Sequence, residues 1–441
     1  MNDTDLLTLL IRRLNEPLAR YSSLDAYYEG RQPLAFLSPE AKTALGNRFG
    51  VMASNIPRLA VTALAERLRI TGFAGDDGLW ADWVRNDLDQ TSGVAHREAL
   101  LFGDSYVIVW ADRYGRPNVT VESAKQVAVL TDPGTRQTVA AIKRWEDRER
   151  NVTDAVMYLP DRIVKFHAEQ AGAVTPTGFK VVEELANPLM TVPVVNLRNT
   201  DRILGDWGCS EIDDLKPLVD ALNKSLADMM VTSEYVGRPR RWATGIELSE
   251  EAVTDDDGTP VLDDADQPVM TEVNPIPEGH RAMISENSEA KFGQLVAADL
   301  AGYEASVRVI LGQIMAVSTL PAHYVGVFTD NPASADALRA AEASLTARAE
   351  ARQAQFGRAW EQVAKLMIAV RDGRDPSLID DIRVQWADAA TRSVAQEADA
   401  VVKLYAAGLL PRTYALSKLG YSDDEIAKVE AAGEPPMPVV A

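Results

Sequence analysis

Two runs of apolar residues at helical spacing, with a carboxylate-rich segment between them, constrain this chain more than any other feature. In the first, Ile212, Leu215, Val219, Leu222, Leu226 and Met229 recur at intervals of three and four, which lines one narrow side of a helix. The second run extends from about Gln294 to Met315. Between them, residues 246–279 hold eleven Asp or Glu and no Lys or Arg. The order predicts two long helices pinching off a small tip that shares no main core. A stalk made of one helical pair needs neighbouring copies to bury its sides, so the pattern points toward a ring or bundle.

Local signals refine the boundaries. Ser210 reads as an N-cap, with Glu211, Asp213 and Asp214 suiting the dipole of a first turn. Pro217 then implies a slight kink or a later start, and the helix ends near Gly237. The insert from Arg238 to about Asn287 carries short extended pieces (RRWATGIEL, TPVL, QPVMTEV) around a DDDGT turn, the makings of a small α/β or all-β tip. After the second helix comes STLPAHYVGVFTDNPAS, then a long helix from about Ala333 to Arg371. Asn331 fits its cap and Pro332 its first turn, while Phe356, Trp360, Val363 and Met367 give its later half a buried stripe.

Residues 1–75 read as largely helical, with Leu6, Leu9, Leu10 and Leu14 on one face and a helix from Ile56 to about Leu68. Trp80, Trp83 and Leu88 suggest another helix, and Val94 to Phe102 one more, ending at Gly103. Six β-rich runs follow (SYVIVW, VTVES, VAVLTD, TVAAIKRW, AVMYLP, RIVKFH), read as one antiparallel meander of six strands. PLMTVPVVNL (188–197) reads as an extended connector. Three short helices close the chain: Val394, Ala398, Val401 and Tyr405 mark the first, Leu416 and Leu419 the second, and a Ser422–Glu425 capping box opens the third. The fold class is α+β, mainly helical.

Chemistry is hard to find. There is no GxxxxGK[ST], GxGxxG after a strand, HExxH, CxxC or GxSxG. His96, His167, His280 and His323 are scattered, and the lone Cys209 excludes an internal disulfide. The acidic DDDGTPVLDD fails as a calcium loop, since Gly258 at the sixth position puts Val253 first. No catalytic residue, metal or cofactor is therefore expected, although a soluble acidic hydrolase working through a carboxylate pair stays open as an alternative. The early acids of MNDTDLL do not read as a signal peptide, and no apolar run reaches the ~18 residues of a membrane span. The net charge of −20 argues against a conventional nucleic-acid binder. It serves either solubility or a surface past which a polyanion slides without sticking. Arg238, Arg240 and Arg241 with Trp242 form one basic-aromatic cluster at the root of the acidic insert, there either to pair with nearby carboxylates or to form a docking or phosphate-facing surface.

Several stretches together resemble the portal proteins of tailed bacteriophages, in the branch common among siphophages of actinobacteria. They are YYEGRQPL (27–34), NRFGVMASNIPRLAVTALAERLRITGF (47–73), GDSYVIVW (103–110), GCSEIDDLKPLVDALNKSLADMM (208–230), NPASADALRAAEASL (331–345) and TRSVAQEADAVVKLYAAGLLPRTYALSKLGYSDDEI (391–426). The resemblance implies a ring, usually of twelve copies, at one capsid vertex of the virion, assembled in the host cytoplasm. It implies a wing (1–209), stem helices (210–237 and 291–316) around a clip (238–290), a channel loop (317–333), a long wing helix (334–376) and a short crown with tail (377–441). The expected partners are further copies of the chain, double-stranded DNA in the channel, terminase, major capsid and scaffold proteins and a head-tail adaptor, with no membrane. In that setting His323, Tyr324, Phe328 and Asn331 are the candidate DNA-facing loop residues, unless the apolar ones pack beneath the wing. Arg238, Arg240, Arg241 and Trp242 are the candidate clip docking set. A different ring-forming virion connector is the remaining alternative within this class.

Overall fold

A computed structural model describes residues 2–35, 52–205, 207–237, 241–245, 249–254, 259–262, 267–273, 289–294, 300–327, 334–390, 394–421 and 423–432. These divide into two compact units, one formed by Met1–Leu24, Leu59–Ile212 and Thr319–Ala441, the other by Asp25–Arg58 and Asp213–Ser318. Helical residues outnumber strand residues and the strand pairs are antiparallel, which fits a mainly helical α+β chain.

The first unit opens with α1 (Asp3–Asn15) and α2 (Leu18–Tyr28), whose last residues belong to the second unit; α3 (Ile56–Ala65) brings the chain back. There follow β1 (Ile70–Ala74), α4 (Leu79–Arg85), α5 (Leu88–Phe102), β2 (Asp104–Ala111), β3 (Pro117–Ser123), β4 (Val127–Thr131), β5 (Thr138–Asp147), β6 (Val152–Tyr158), β7 (Arg162–Ala168), β8 (Lys180–Ala186) and β9 (Val194–Arg198). The Asn2 side chain accepts the Asp5 N–H at 2.8 Å, and acids in the first turn of α1 with Arg12 and Arg13 in its last complement the dipole. Its buried face is Leu7, Leu10, Ile11 and Leu14, an i, i+3, i+4, i+7 set, with Leu6 and Leu9 half-buried at its flanks. The expected Leu6–Leu9–Leu10–Leu14 face is thus rotated, and the helix packs on Ile142, Met157, Val164 and Phe166.

The strands form two main sheets where the sequence reads as one meander. One is five-stranded in the order β4-β5-β6-β7-β8; the other, β3-β2-β9, has three strands, and all pairs are antiparallel. The PLMTVPVVNL segment is more than a connector. Pro188 and Pro193 precede β9, so neither proline removes a donor from the ladder, and Val194–Arg198 pair with β2. Gly103 (φ +94°) ends α5 where its backbone crosses Gly208, and a Cβ on Gly208 would stand 1.8 Å from the Gly103 carbonyl oxygen. Only glycine fits such an approach.

The second unit is built on α6 (Lys216–Gly237) and α7 (Ala301–Ser318), which pack together and enclose β10 (Arg241–Thr244), β11 (Ser249–Ala252), β12 (Met270–Val273) and β13 (Lys291–Gln294) in the sequence. α6 starts at Lys216, six residues after Ser210, because Pro217 is tolerated only in a first turn. Ser210 instead accepts the Ile212 N–H at 3.3 Å in a turn. α7 starts later than Gln294, which is the last residue of β13. The insert consists, among the described residues, of antiparallel pairs β10–β13 and β11–β12 with isolated bridges Thr254–Pro260 and Leu262–Pro268; its DDDG turn lies outside them. Tyr27 donates to Asp220 at 2.8 Å and Asn223 accepts the Ser54 N–H at 3.0 Å, tying residues 25–58 to α6.

The first unit resumes with α8 (Ala335–Asp372), β14 (Arg383–Trp386), α9 (Val394–Ala406), α10 (Arg412–Lys418) and α11 (Asp423–Ala431). Ser334 caps α8 by accepting the Ala337 N–H at 3.2 Å, the role expected of Asn331, which with Pro332 lies outside the described residues. Phe356, Trp360, Val363 and Met367 are fully buried, and β14 pairs with β1 across some 310 residues of sequence. In α9–α11 the described buried side chains are Val401, Ala415 and Ile426, whereas Tyr405 and Leu419 of the expected stripes are exposed.

Candidate functional site

The segment after α7 is where sequence reasoning placed His323, Tyr324, Phe328 and Asn331. Its first half is fixed to the first unit. Leu320 and Pro321 are buried, Ala322–Val325 make a 3-10 turn, and Gly326 leaves it at φ +76°. His323 and Tyr324 meet edge-on with ring centroids 4.8 Å apart. His323 Nε2 lies 3.3 Å from Glu342 Oε1, and the Tyr324 hydroxyl accepts from Arg67 at 3.4 Å. The structure therefore brings these two residues to one buried ion pair. Phe328 and Asn331 lie outside the described residues.

That ion pair is Arg67–Glu342, 3.0 Å apart with both side chains about nine-tenths buried. Arg67 also donates to the Ala389 carbonyl at 2.6 Å, and Gln353 bridges the carbonyls of Arg67 and Ala387 at 3.0 and 3.1 Å. Burial alone pulls the guanidinium toward losing its proton, but the hydrogen bonds with Glu342 and Tyr324 outweigh it and raise its pKa. A buried charge is tolerable only with every lone pair answered in this way.

Nearly three turns further along α8, around Arg352, a second cluster repeats the device. Arg352, itself buried, meets Glu211 at 2.9 Å and Asp201 at 2.6 Å, and Arg348 reaches the other Glu211 oxygen at 2.9 Å. The hydrogen bond from Arg352 holds the Asp201 carboxyl below its usual range against partial burial. Neither cluster had a local sequence signal. Their partners lie 275 and 151 residues apart, and charged residues in a long helix read as solvated until a fold puts something over them.

In the insert, Trp242 is 43% exposed and pairs across the ladder with Gly293. A Cβ at Gly293 would fall 2.6 Å from the indole, so the absent side chain seats the ring on the neighbouring backbone. Arg238 and Arg240 lie outside the described residues, as does the side chain of Arg241. Val261, Leu262, Met270 and Phe292 are also exposed on this small sheet system.

Exposure runs the length of α7. Only Ile314 and Ser318 are buried, although the helix contains Val307, Val309, Ile310, Leu311 and Val317. Val309 is 66% exposed. On α6, Val219 and Leu222 are buried while Leu226 and Met229 are half-buried, so the seam loses cover toward the insert. Among the described residues no group of three or more His, Cys, Asp or Glu is placed to hold a metal ion, and no helix is long and apolar enough to cross a membrane.

Comparison with known proteins bears on the whole chain. The family model "Phage portal protein, SPP1 Gp6-like" matches residues 9–434. The portal protein of Mycobacterium phage D29 is 32% identical over 387 residues, 83% of this chain and 76% of that protein. That of Mycobacterium phage L5 is 31% identical over 391 residues, covering 84% and 76%. Among solved structures, a chain from the virion of a native gene transfer agent particle aligns with TM-score 0.47 and 13% identity over 93% of this chain and 99% of that one. A chain from the neck of the native particle, computed with C12 symmetry, gives 0.45 and 14% over 92% and 99%.

Proposed function

We propose, from the premise that this chain belongs to the phage portal protein family, SPP1 Gp6-like, that copies of it close into a ring at one capsid vertex and form the channel through which double-stranded DNA is packaged and ejected. A portal protein is a structural component of the virion, and no chemical step is assigned to this one. The observation that carries the ring is α7. Eighteen residues of helix with two of them buried leave an apolar side that a lateral neighbour would cover, as a stalk in a ring requires.

In this reading α6 and α7 are the stem, the β10–β13 insert the clip, residues 317–333 the channel loop and α9–α11 a short crown. Twelve copies is the expected number. The acidic balance of the chain suits a conduit, because duplex DNA carries a charge every ~1.7 Å of axis and a basic wall would grip it by counterion release. Trp242, seated on Gly293, and the arginines beside it are the docking surface for the packaging terminase and then for a head-tail adaptor. His323, Tyr324, Phe328 and Asn331 face DNA or the neighbouring loops, their first half held by Arg67 and Glu342.

Mass photometry of the purified chain tests the ring. A species near twelve times the 48.1 kDa chain mass is expected. A chain that remains monomeric under every condition, including with scaffold and capsid protein present, removes the proposal.

A further inference from the structure

The loop after β9 presents two aliphatic side chains almost entirely to solvent. Ile203 is 78% and Leu204 85% exposed. The loop around them is firmly held. Arg352 grips Asp201 through two nitrogens at 2.6 and 3.1 Å, and Gln355 donates to the Thr200 carbonyl at 2.8 Å. The Thr200 hydroxyl accepts the Arg202 N–H at 3.2 Å, and Arg198 donates to the Gly205 carbonyl at 3.4 Å. Hydrogen bonds on both sides of the pair hold the loop in this shape, so it offers a preorganised apolar knob.

The same unit contains a matching hole. A cavity of about 170 Å³ is lined by Trp110, Pro188, Leu189, Ala369, Val370 and Arg374 among others. A slightly smaller apolar cavity of ~150 Å³ accepts benzene, so this one has room for a leucine or isoleucine side chain. Two further large side chains are exposed next to wall residues: Tyr114, beside Gly115, at 64%, and Met190, beside Leu189, at 67%.

Knob and hole lie at opposite ends of one layer. The knob follows Arg198, which pairs with Asp104 at the start of β2, whereas Trp110 and Ala111 at its far end line the cavity. Seven strand steps separate the ends by roughly 23 Å. On α8, Arg352 holds the knob and Val370 walls the hole, eighteen residues or roughly 27 Å apart. No copy can fill its own cavity. Complementary features on different surfaces of one molecule make a head-to-tail contact, the kind that closes into rings.

We infer that Ile203 and Leu204 of one copy seat in the Trp110–Leu189–Val370 cavity of the next. This rests on the ring reading above and names the surfaces that join its members.

Complementary defects test it. A knob variant (Ile203→Asp with Leu204→Asp) alters exposed positions and should keep its circular dichroism and melting temperature. A hole variant, Val370→Arg, fills the cavity mouth; Ala111→Arg, at an exposed lining position, takes its place should the first fail to fold. Each alone is expected to stay monomeric at protein concentrations at least tenfold above those at which the wild type assembles. Mixed in equal amounts they should form dimers and nothing larger, since each pair retains one intact knob and one intact hole. A knob variant that forms rings of wild-type mass at wild-type concentration overturns the contact and leaves the ring reading standing. So does a knob variant whose rings form normally but no longer join the major capsid protein, which would give the knob a different occupant. A wild-type chain that never assembles removes both.

Discussion

The indole N–H of Trp360 donates to Nε2 of His96 at 2.7 Å inside a fully buried aromatic cluster. That nitrogen must be unprotonated to accept, and Phe356 stacks flat on the imidazole with ring centroids 5.6 Å apart. Burial lowers the His96 pKa from 6.5 to about 3, against a smaller upward pull from the Leu68 backbone. Between those values the unfolded chain binds a proton that the folded chain refuses. Stability is therefore full above pH 6.5 and declines as pH falls toward 3. From pH 7 to pH 5 the loss is about 2 kcal/mol. Urea titrations at pH 7, 6 and 5 measure it, and His96→Gln should flatten the slope. Depressed carboxylates such as Asp76 and Asp201 act below this window, so they do not confuse the test.

Arg67→Ala leaves Glu342 buried without its main counter-charge, and the expected destabilisation is about 3–5 kcal/mol. Adding Glu342→Gln should recover part of that loss, because the orphaned charge goes with it. Limited proteolysis should then cut residues 319–327 in the single variant well before the wild type. Equal cleavage rates would show that the ion pair does not hold this segment.

Reversing charge at the insert, Arg240→Glu with Arg241→Glu, should leave ring mass unchanged and slow terminase association, most strongly at low salt. Gly293→Leu should give a similar docking defect by lifting Trp242 off its seat. Surface plasmon resonance at two salt concentrations reads both. Unchanged binding at each would place docking elsewhere, and lost rings would show that the arginines join clip to clip.

Replacing Tyr324 and Phe328 by Gly should preserve rings and empty capsids while lowering packaged DNA per particle or its retention. Tyr324→Phe separates the two roles of that residue. It removes the hydroxyl that accepts from Arg67 and keeps the ring. Normal titre and full-length genomes from the double variant would remove the loop from the channel.

How much of this was legible beforehand follows from the range of the interactions. The later half of α8 and the end of α5 at Gly103 are legible because an apolar stripe and a terminal glycine are local features, whereas Leu88, read with Trp80 and Trp83, instead opens α5. The same holds for the individual strands, whose alternation and turns are short-range. Sheet membership was not readable, since pairing of Val194–Arg198 with β2 and of β14 with β1 depends on contacts across 90 to more than 300 residues. Arg67 and Glu342 were invisible for the same reason, being ordinary charged residues until the turn after α3 and the helix α8 bury them together. The start of α6 was half-legible: Pro217 permitted a kink or a later start, and the later start is the one found.

The 38 residues of α8 extend about 57 Å, and along that length it is gripped by Arg67 at one end, Asp201 and Glu211 nearer the middle, and Asp76 at Arg371. An α-helix cannot be compressed along its axis without breaking its own backbone bonds. A push delivered to the Ser334 end must travel the whole rod or be absorbed by rearranging those ion pairs. A stiff rod tied at three places fixes the spacing of those places, so any load along it would fall on all three sets of ion pairs together.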